Sequence, residues 1–127
     1  MADAPRPRCR LTRTMRVRKH AEFQRALKGG ARANDQRLTV WLWRNGLDHS
    51  RLGLMVGRQH GNAVRRNRLK RLMREAFRLS QHELPRGCDL LCTPRSGAQL
   101  DVAGCRESLV VLANRLARRE KIEHEPE

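Results

Sequence analysis

Gly61 to Phe77 reads GNAVRRNRLKRLMREAF, and how this stretch folds decides how the rest of the chain is arranged. With Leu69 at the origin of a helical wheel stepped by about 100° per residue, Leu72, Met73, Ala76 and Phe77 fall within roughly 80° of it. That is an apolar stripe fit to face a core. Arg68, Lys70, Arg71, Arg74 and Arg78 occupy the opposite arc, which taken alone is ordinarily a solvated face. The first turn is anomalous. Arg65 projects onto the core side and Arg66 near its edge, at the end of a helix where the macrodipole is positive and favours anions. An unpaired guanidinium is too costly to bury there. The sequence therefore predicts that this turn projects beyond its sheet, with Gly61 and Asn62 as turn and cap. Arg65, Arg66 and Arg68 then fan outward beside free backbone N–H groups, with the neutral amide of Asn67 between them. A helix N-terminus with an arginine fork is an anion site, and phosphate fits the planar guanidinium.

The totals agree with a polyanionic partner. The 127 residues are most simply one domain, with 28 Lys and Arg against 13 Asp and Glu, a net charge of +15. Such self-repulsion destabilises a compact state unless anions relieve it, and nucleic acid is the leading partner on charge alone. No apolar run approaches the ~20 residues that span a bilayer, and the basic opening MADAPRPRCRLTRTMR lacks a following signal-peptide hydrophobic region. A soluble, cytoplasmic protein with no membrane partner is expected. Residues 1–16, Pro- and Arg-rich without apolar period, read as a basic flexible arm, 17–118 as the folded domain and 119–127 as a polar tail. The four cysteines, Cys9, Cys88, Cys92 and Cys105, form no CxxC pair and predict no zinc site. Cys88, Cys92 and Cys105 are expected as small buried hydrophobes, and Cys9 as an exposed free thiol.

RKHAEFQRALKGG predicts a first helix with Phe23, Ala26 and Leu27 on one face and Gly29-Gly30 as its stop. RLTVWLWRNG alternates as a strand: Leu38, Val40 and Leu42 point one way, Thr39, Trp41 and Trp43 the other. RLGLMVGR predicts a second strand, paired with the first as an antiparallel hairpin, in which Gly53 and Gly57 leave room for a close approach. CDLLCTP reads as a buried strand, and strand-helix-strand order implies a parallel pairing across the basic helix, right-handed by general rule. Asp101 is the predicted N-cap of a last helix carrying Val102, Cys105, Leu109, Leu112, Ala113 and Leu116 at helical spacing.

RRNRLKR, preceded by GNAV and followed by LMREAFR, closely resembles the RNR motif of the bacterial ribonuclease P protein subunit. RKHAEFQRALKGG resembles that family's first helix, RNGLDHSRLGLMVGR its strand-loop-strand, and LPRGCDLLCTPR its last strand and following segment. The order agrees over about residues 11 to 118. The resemblance implies an α+β fold, a single small α/β sandwich of the ribosomal-protein-S5-domain-2-like kind, in the order helix, strands, helix, strand, helix. It also implies a left-handed crossover through the RNR helix, against the general rule. It implies two RNA partners, the catalytic RNA subunit and the 5′ leader of precursor tRNA, in an assembly of one RNA and one protein. Arg65, Arg66, Asn67, Arg68, Lys70, Arg71 and Arg74 match the surface that holds the catalytic RNA. Phe23, Thr39, Trp41, Arg58, Asn62 and Arg95 match or adjoin the leader cleft, where an indole is a good platform for a splayed base. Trp43 is expected only to pack. Two positions depart from the pattern: Leu27 stands where a second phenylalanine is common, and Gly57 where a lysine can occur. The implied activity is cleavage at the mature tRNA 5′ end by the holoenzyme.

No catalytic residue is expected in the polypeptide. Protein nucleases need a positioned acid and base or carboxylates on metal, whereas the acids here are dispersed and His20, His49, His60, His82 and His124 have no evident partners. The protein is expected to bind no cofactor or metal itself, with Mg2+ in the holoenzyme held mainly by the RNA. A ribosomal or general structured-RNA-binding protein is the alternative, but it leaves the aromatic cleft unexplained. A helix-turn-helix DNA-binding module fails because strand signals, not a partner helix, flank the basic helix.

Overall fold

The structure is a computed structural model, and it describes residues 13–120. Helix α1 spans His20–Gly29, α2 Ala63–Ser80 and α3 Val102–Arg119. Four strands, β1 Ala31–Asn34, β2 Leu38–Arg44, β3 Arg51–Leu54 and β4 Cys88–Pro94, form one sheet in the order β1-β2-β4-β3. Helices α2 and α3 pack on one face, over Leu38, Val40, Leu42, Leu52, Leu90 and Cys92. Helix α1 covers the other, where Ala26 and Leu91 are buried with Phe23, Leu27, Trp41, Trp43 and Met55 packed against them.

The sheet order corrects the expected hairpin. β2 and β3 do not pair; β4 lies between them, antiparallel to β2 and parallel to β3. The reason is burial. Every residue of β4 but Thr93 is buried, so this strand, apolar on both faces, takes the doubly covered centre and leaves four-residue β3 at an edge. The parallel β3–α2–β4 connection is the one that strand-helix-strand order predicts. Strand β1, which no pattern announced, pairs antiparallel with β2 with Arg32 opposite Trp41. The last residue assigned to the basic arm also joins the fold: Arg16 bridges to Leu52, beside Val17, the first residue of the expected domain, whose N–H donates to the Leu52 carbonyl at 2.9 Å. Residues 1–12, with Cys9, and residues 121–127 of the expected tail lie outside the described residues.

Both long helices are capped as their sequences suggest. Asp101 accepts a hydrogen bond from the Gly104 N–H at 2.6 Å, and Asn62 accepts one from the Arg65 N–H at 2.9 Å. Of the predicted core positions, Leu69, Met73, Ala76, Phe77, Cys105, Leu109, Leu112, Ala113 and Leu116 are buried, while Leu72 and Val102 are half-buried. Gly53 provides the expected close approach: a Cβ there would lie 2.5 Å from Leu91 Cδ2 and 3.0 Å from Phe23 Cε1, so α1 seats its phenylalanine on bare backbone.

Cys88, Cys92 and Cys105 are free and buried, as expected. Burial pushes the Cys88 thiol up to about 11, Cys105 up to about 12 and Cys92 well above its ordinary 9.0. All three are therefore neutral and unreactive near pH 7. A thiol reagent is expected to label them only on unfolding, as labelling followed by peptide mass mapping reads directly. The sign for stability follows: as pH rises past the ordinary thiol value of 9.0, the unfolded chain loses these protons first, so the native state weakens. Serine at Cys88 and Cys105 should flatten that alkaline decline; an equally steep decline in the variant would assign it elsewhere.

Candidate nucleic-acid interface

One end of the sheet gathers the candidate residues. Strands β3 and β4 run parallel, so their last residues finish together beside the start of β2, where Leu38 pairs with Pro94. A 3-10 turn, Arg58–His60, follows β3 and leads into α2. His60, only 8% exposed, pins it in place: its Nδ1 accepts the Gly57 N–H at 3.0 Å, and its Nε2–H donates to the Pro94 carbonyl at 2.9 Å. Arg95 follows Pro94 directly, so this ring draws Arg58, Asn62 and the head of α2 to the end of the sheet where Arg95 stands. Nothing in the sequence around His60 marks it out; one partner is Gly57 of its own turn, and the other comes from a strand more than thirty residues on.

The head of α2 projects, with Arg65 and Arg68 exposed as predicted, but Arg66 does not fan outward with them. Its first turn contains no acidic residue, and Val64 there is 70% exposed. Gly61 has φ of +116°, and a Cβ on it would lie 2.5 Å from Arg65 Cδ, so glycine is needed both for the turn and for the arginine lying across it. Arg65 is exposed, with its Nε donating to the His60 carbonyl at 3.0 Å. Asn67, Arg68 and Arg71 are exposed. Arg66 is half-buried, and its Nε is buried without a hydrogen-bond partner. An orphaned guanidinium N–H is costly in the free protein, a cost that a side-chain rearrangement giving it an acceptor removes. Lys70 and Arg74, half-buried, turn toward β3, while Arg78 pairs with Glu75 at 2.8 and 2.6 Å.

The sheet face beneath α1 carries the aromatics. Phe23 is half-buried on Gly53. Trp41 is half-buried, and the Arg32 guanidinium stacks on it 5.6 Å from the ring centroid, a contact that reading the sequence missed together with β1. Trp43 packs as expected: Arg25 lies 5.7 Å from its centroid, and a Cβ on Gly29 would come within 2.6 Å of the ring. Thr39 is a correction. It is 7% exposed in mid-sheet, between Asn34 and Thr93, and so packs rather than offering a contact. Asn62 is corrected in part, because its side-chain oxygen is committed to capping α2. Arg58 and Arg95 are exposed.

A buried network that the sequence did not announce fastens α1 to the sheet. Asp89, 0% exposed, accepts from Arg51 Nε at 2.7 Å and Nη2 at 2.6 Å, and from Asn45 Nδ2 at 3.0 Å. Arg51 Nη2 also reaches Glu22 of α1 at 3.0 Å. The bond to Asp89 outweighs burial and holds Arg51 more firmly protonated than an ordinary arginine. An acid inside CDLLC was the available signal, since a buried carboxylate demands a partner. Among the described residues, no three His, Cys, Asp or Glu side chains converge as a metal site. No described helix is long and apolar enough to cross a membrane.

The chain is similar to proteins that share this arrangement. The family model for ribonuclease P matches residues 11–117. The ribonuclease P protein component of Thermotoga petrophila is 38% identical over 110 residues, covering 83% of this chain and 94% of that one. The solved ribonuclease P protein of Thermotoga maritima superposes with a TM-score of 0.70 at 36% identity, covering 81% of this chain and 96% of the other. That of Staphylococcus aureus gives a TM-score of 0.68 at 30% identity, with 85% and 96% covered. A match across nearly all the described residues, in sequence and in fold, puts the chain in the ribonuclease P protein family.

Proposed function

We infer that the chain is the protein subunit of a ribonuclease P ribonucleoprotein, the endoribonuclease that matures tRNA 5′ ends. It binds the catalytic RNA through the head and outer face of α2, and the 5′ leader of precursor tRNA along the aromatic face beside Arg58 and Arg95. The observation that carries this reading is the bare cationic head of α2, with no acid in its first turn and one guanidinium nitrogen buried without a partner. His60 and the sheet ends set that head beside the exposed arginines that lead to the cleft. The protein supplies electrostatics and position. Magnesium, held mainly by the RNA, supplies the hydrolytic chemistry. One protein with one RNA, in the cytoplasm of a bacterial cell, is the working assembly.

Reconstitution tests this: catalytic RNA at limiting magnesium, 5′-labelled precursor tRNA, with and without protein. Restored cleavage at the mature 5′ end is expected. RNA binding that leaves cleavage unchanged would instead make the chain a general RNA-binding protein. Cleavage by rigorously RNA-free protein, abolished by one His or acid substitution, would move the chemistry to the polypeptide.

The leader cleft makes its own prediction. Trp41→Ala should spare assembly with the catalytic RNA and weaken leader-bearing substrate by about 1–3 kcal/mol, the worth of one stacked base. Arg32 already occupies one side of the indole, so the base takes the other. Equal loss for leaderless tRNA would indicate a folding defect instead.

A further inference from the structure

A cavity of about 180 Å³ opens beside β3, between α2 and the segment that bridges to that strand through Arg16 and leads into α1. Its floor is apolar, made by Phe23, Leu52 and Leu54 with Val17. Its rim is wholly cationic: Arg16 and Arg18 on one side, Lys70 and Arg74 on the other. Among the described residues none of these four forms a salt bridge, no carboxylate lines the cavity, and Glu22 of α1 is held by Arg51. Burial, and after it the guanidiniums of Arg16 and Arg71, pull Arg74 below the ordinary arginine value, so the rim repels itself as it stands. Four cations around an apolar floor, with an aromatic ring in it, are shaped for a group that is anionic at one end and flat and apolar at the other.

We propose that this cavity is a nucleotide subsite for single-stranded RNA, in which Arg16 and Arg18 clamp a phosphate against Lys70 and Arg74 while the base or sugar rests on the floor beside Phe23. This rests on the functional reading above and extends it to two arginines outside both the RNR helix and the aromatic sheet face. The phosphate bridges α2 to the entry of α1, linking the two RNA-binding surfaces across the edge of the sheet. A bound phosphate relieves the repulsion around Arg74, and the planar guanidiniums offer it paired donors. The floor accepts any base, because stacking and apolar packing are sequence-tolerant.

The nucleotide can come from the catalytic RNA or from the leader, and one variant separates the sources. R16Q/R18Q removes two charges from exposed positions and is expected to melt at the temperature of the parent. Its affinity is measured against salt for two ligands: catalytic RNA alone, and leader-bearing against leaderless tRNA on reconstituted holoenzyme. The slope of log K should become shallower by about 1.4, two single-strand phosphates at about 0.7 each. A change with catalytic RNA alone assigns the nucleotide to that RNA; a change only with leader-bearing tRNA assigns it to the leader. R16K/R18K should recover most of the slope, since charge sets it, and a lysine pair that fails to do so would count against a phosphate clamp. An unchanged slope with both ligands overturns the subsite. If parent protein restores cleavage while the variant matches it in every arm, only this inference fails; if parent protein restores nothing, the functional reading itself has failed.

Discussion

Arg51→Met should cost the protein about 3–5 kcal/mol of stability, the penalty for leaving one partner of a buried ion pair alone. Methionine fills much of the space of the arginine stem but gives Asp89 no donor, and that carboxylate has no exposure to water. Asn45 remains at 3.0 Å, a neutral amide in place of a two-nitrogen fork. Glu22 also loses its bond at 3.0 Å, so α1 is no longer fastened to β3 by charge. Urea unfolding measures the loss directly, and thermal unfolding should show a fall on the order of 10 °C or more. Replacing both residues, as in R51M/D89L, should recover much of the loss, because no charge is then stranded. A single-variant loss under about 1 kcal/mol, the range of an exposed pair, would mean that Asp89 finds water and the network is not a buried one.

That network marks where reading the sequence ran out, and why. Helices α2 and α3 were legible because their signals are local: an apolar stripe at helical spacing, and Asn62 or Asp101 in place to bond the backbone three residues on. The projecting cationic head followed from the cost of burying Arg65, which needs no knowledge of the rest of the fold. Pairing is not local. β2 and β3 looked like neighbours because they are consecutive, but β4 displaced that hairpin by having two apolar faces to cover. Strand β1 reads ARAN, with no apolar alternation strong enough to announce it; it exists because β2 offers an edge, and with it went the stacking of Arg32 on Trp41. His60 was invisible for the same reason, since a histidine between glycines says nothing until Pro94 arrives opposite it. Thr39 was misplaced because strand alternation gives the side of a sheet but not the depth of burial.

Alanine at Arg65, Arg66 and Arg68 together should separate folding from function by moving them in opposite directions. For the free protein the change is favourable on two counts. Alanine is the best helix former, and two cations, Arg65 and Arg66, leave the first turn of a helix, where each costs about 0.3–1 kcal/mol near the surface. Against this stands the removal of the Arg65 hydrogen bond to the His60 carbonyl, a partly buried interaction worth about 1 kcal/mol. The buried, unpartnered Nε of Arg66 disappears as well, which favours the variant further. Melting at or above the parent temperature is therefore expected in low salt. Binding to the catalytic RNA should move the other way: each phosphate of duplex-like RNA left without its arginine reduces the salt slope of log K by about 0.9, or about 2.7 for the three. A residue kept for stability cannot give this pattern, since its removal would lower melting temperature and affinity together. An unchanged salt slope would place all three arginines in solvent and leave the outer face of α2, Lys70 and Arg71 onward, to hold the RNA. A slope that falls by the full amount while the fold strengthens would show that the misplaced charge at the head of α2 is tolerated in the free chain because RNA neutralises it in the complex.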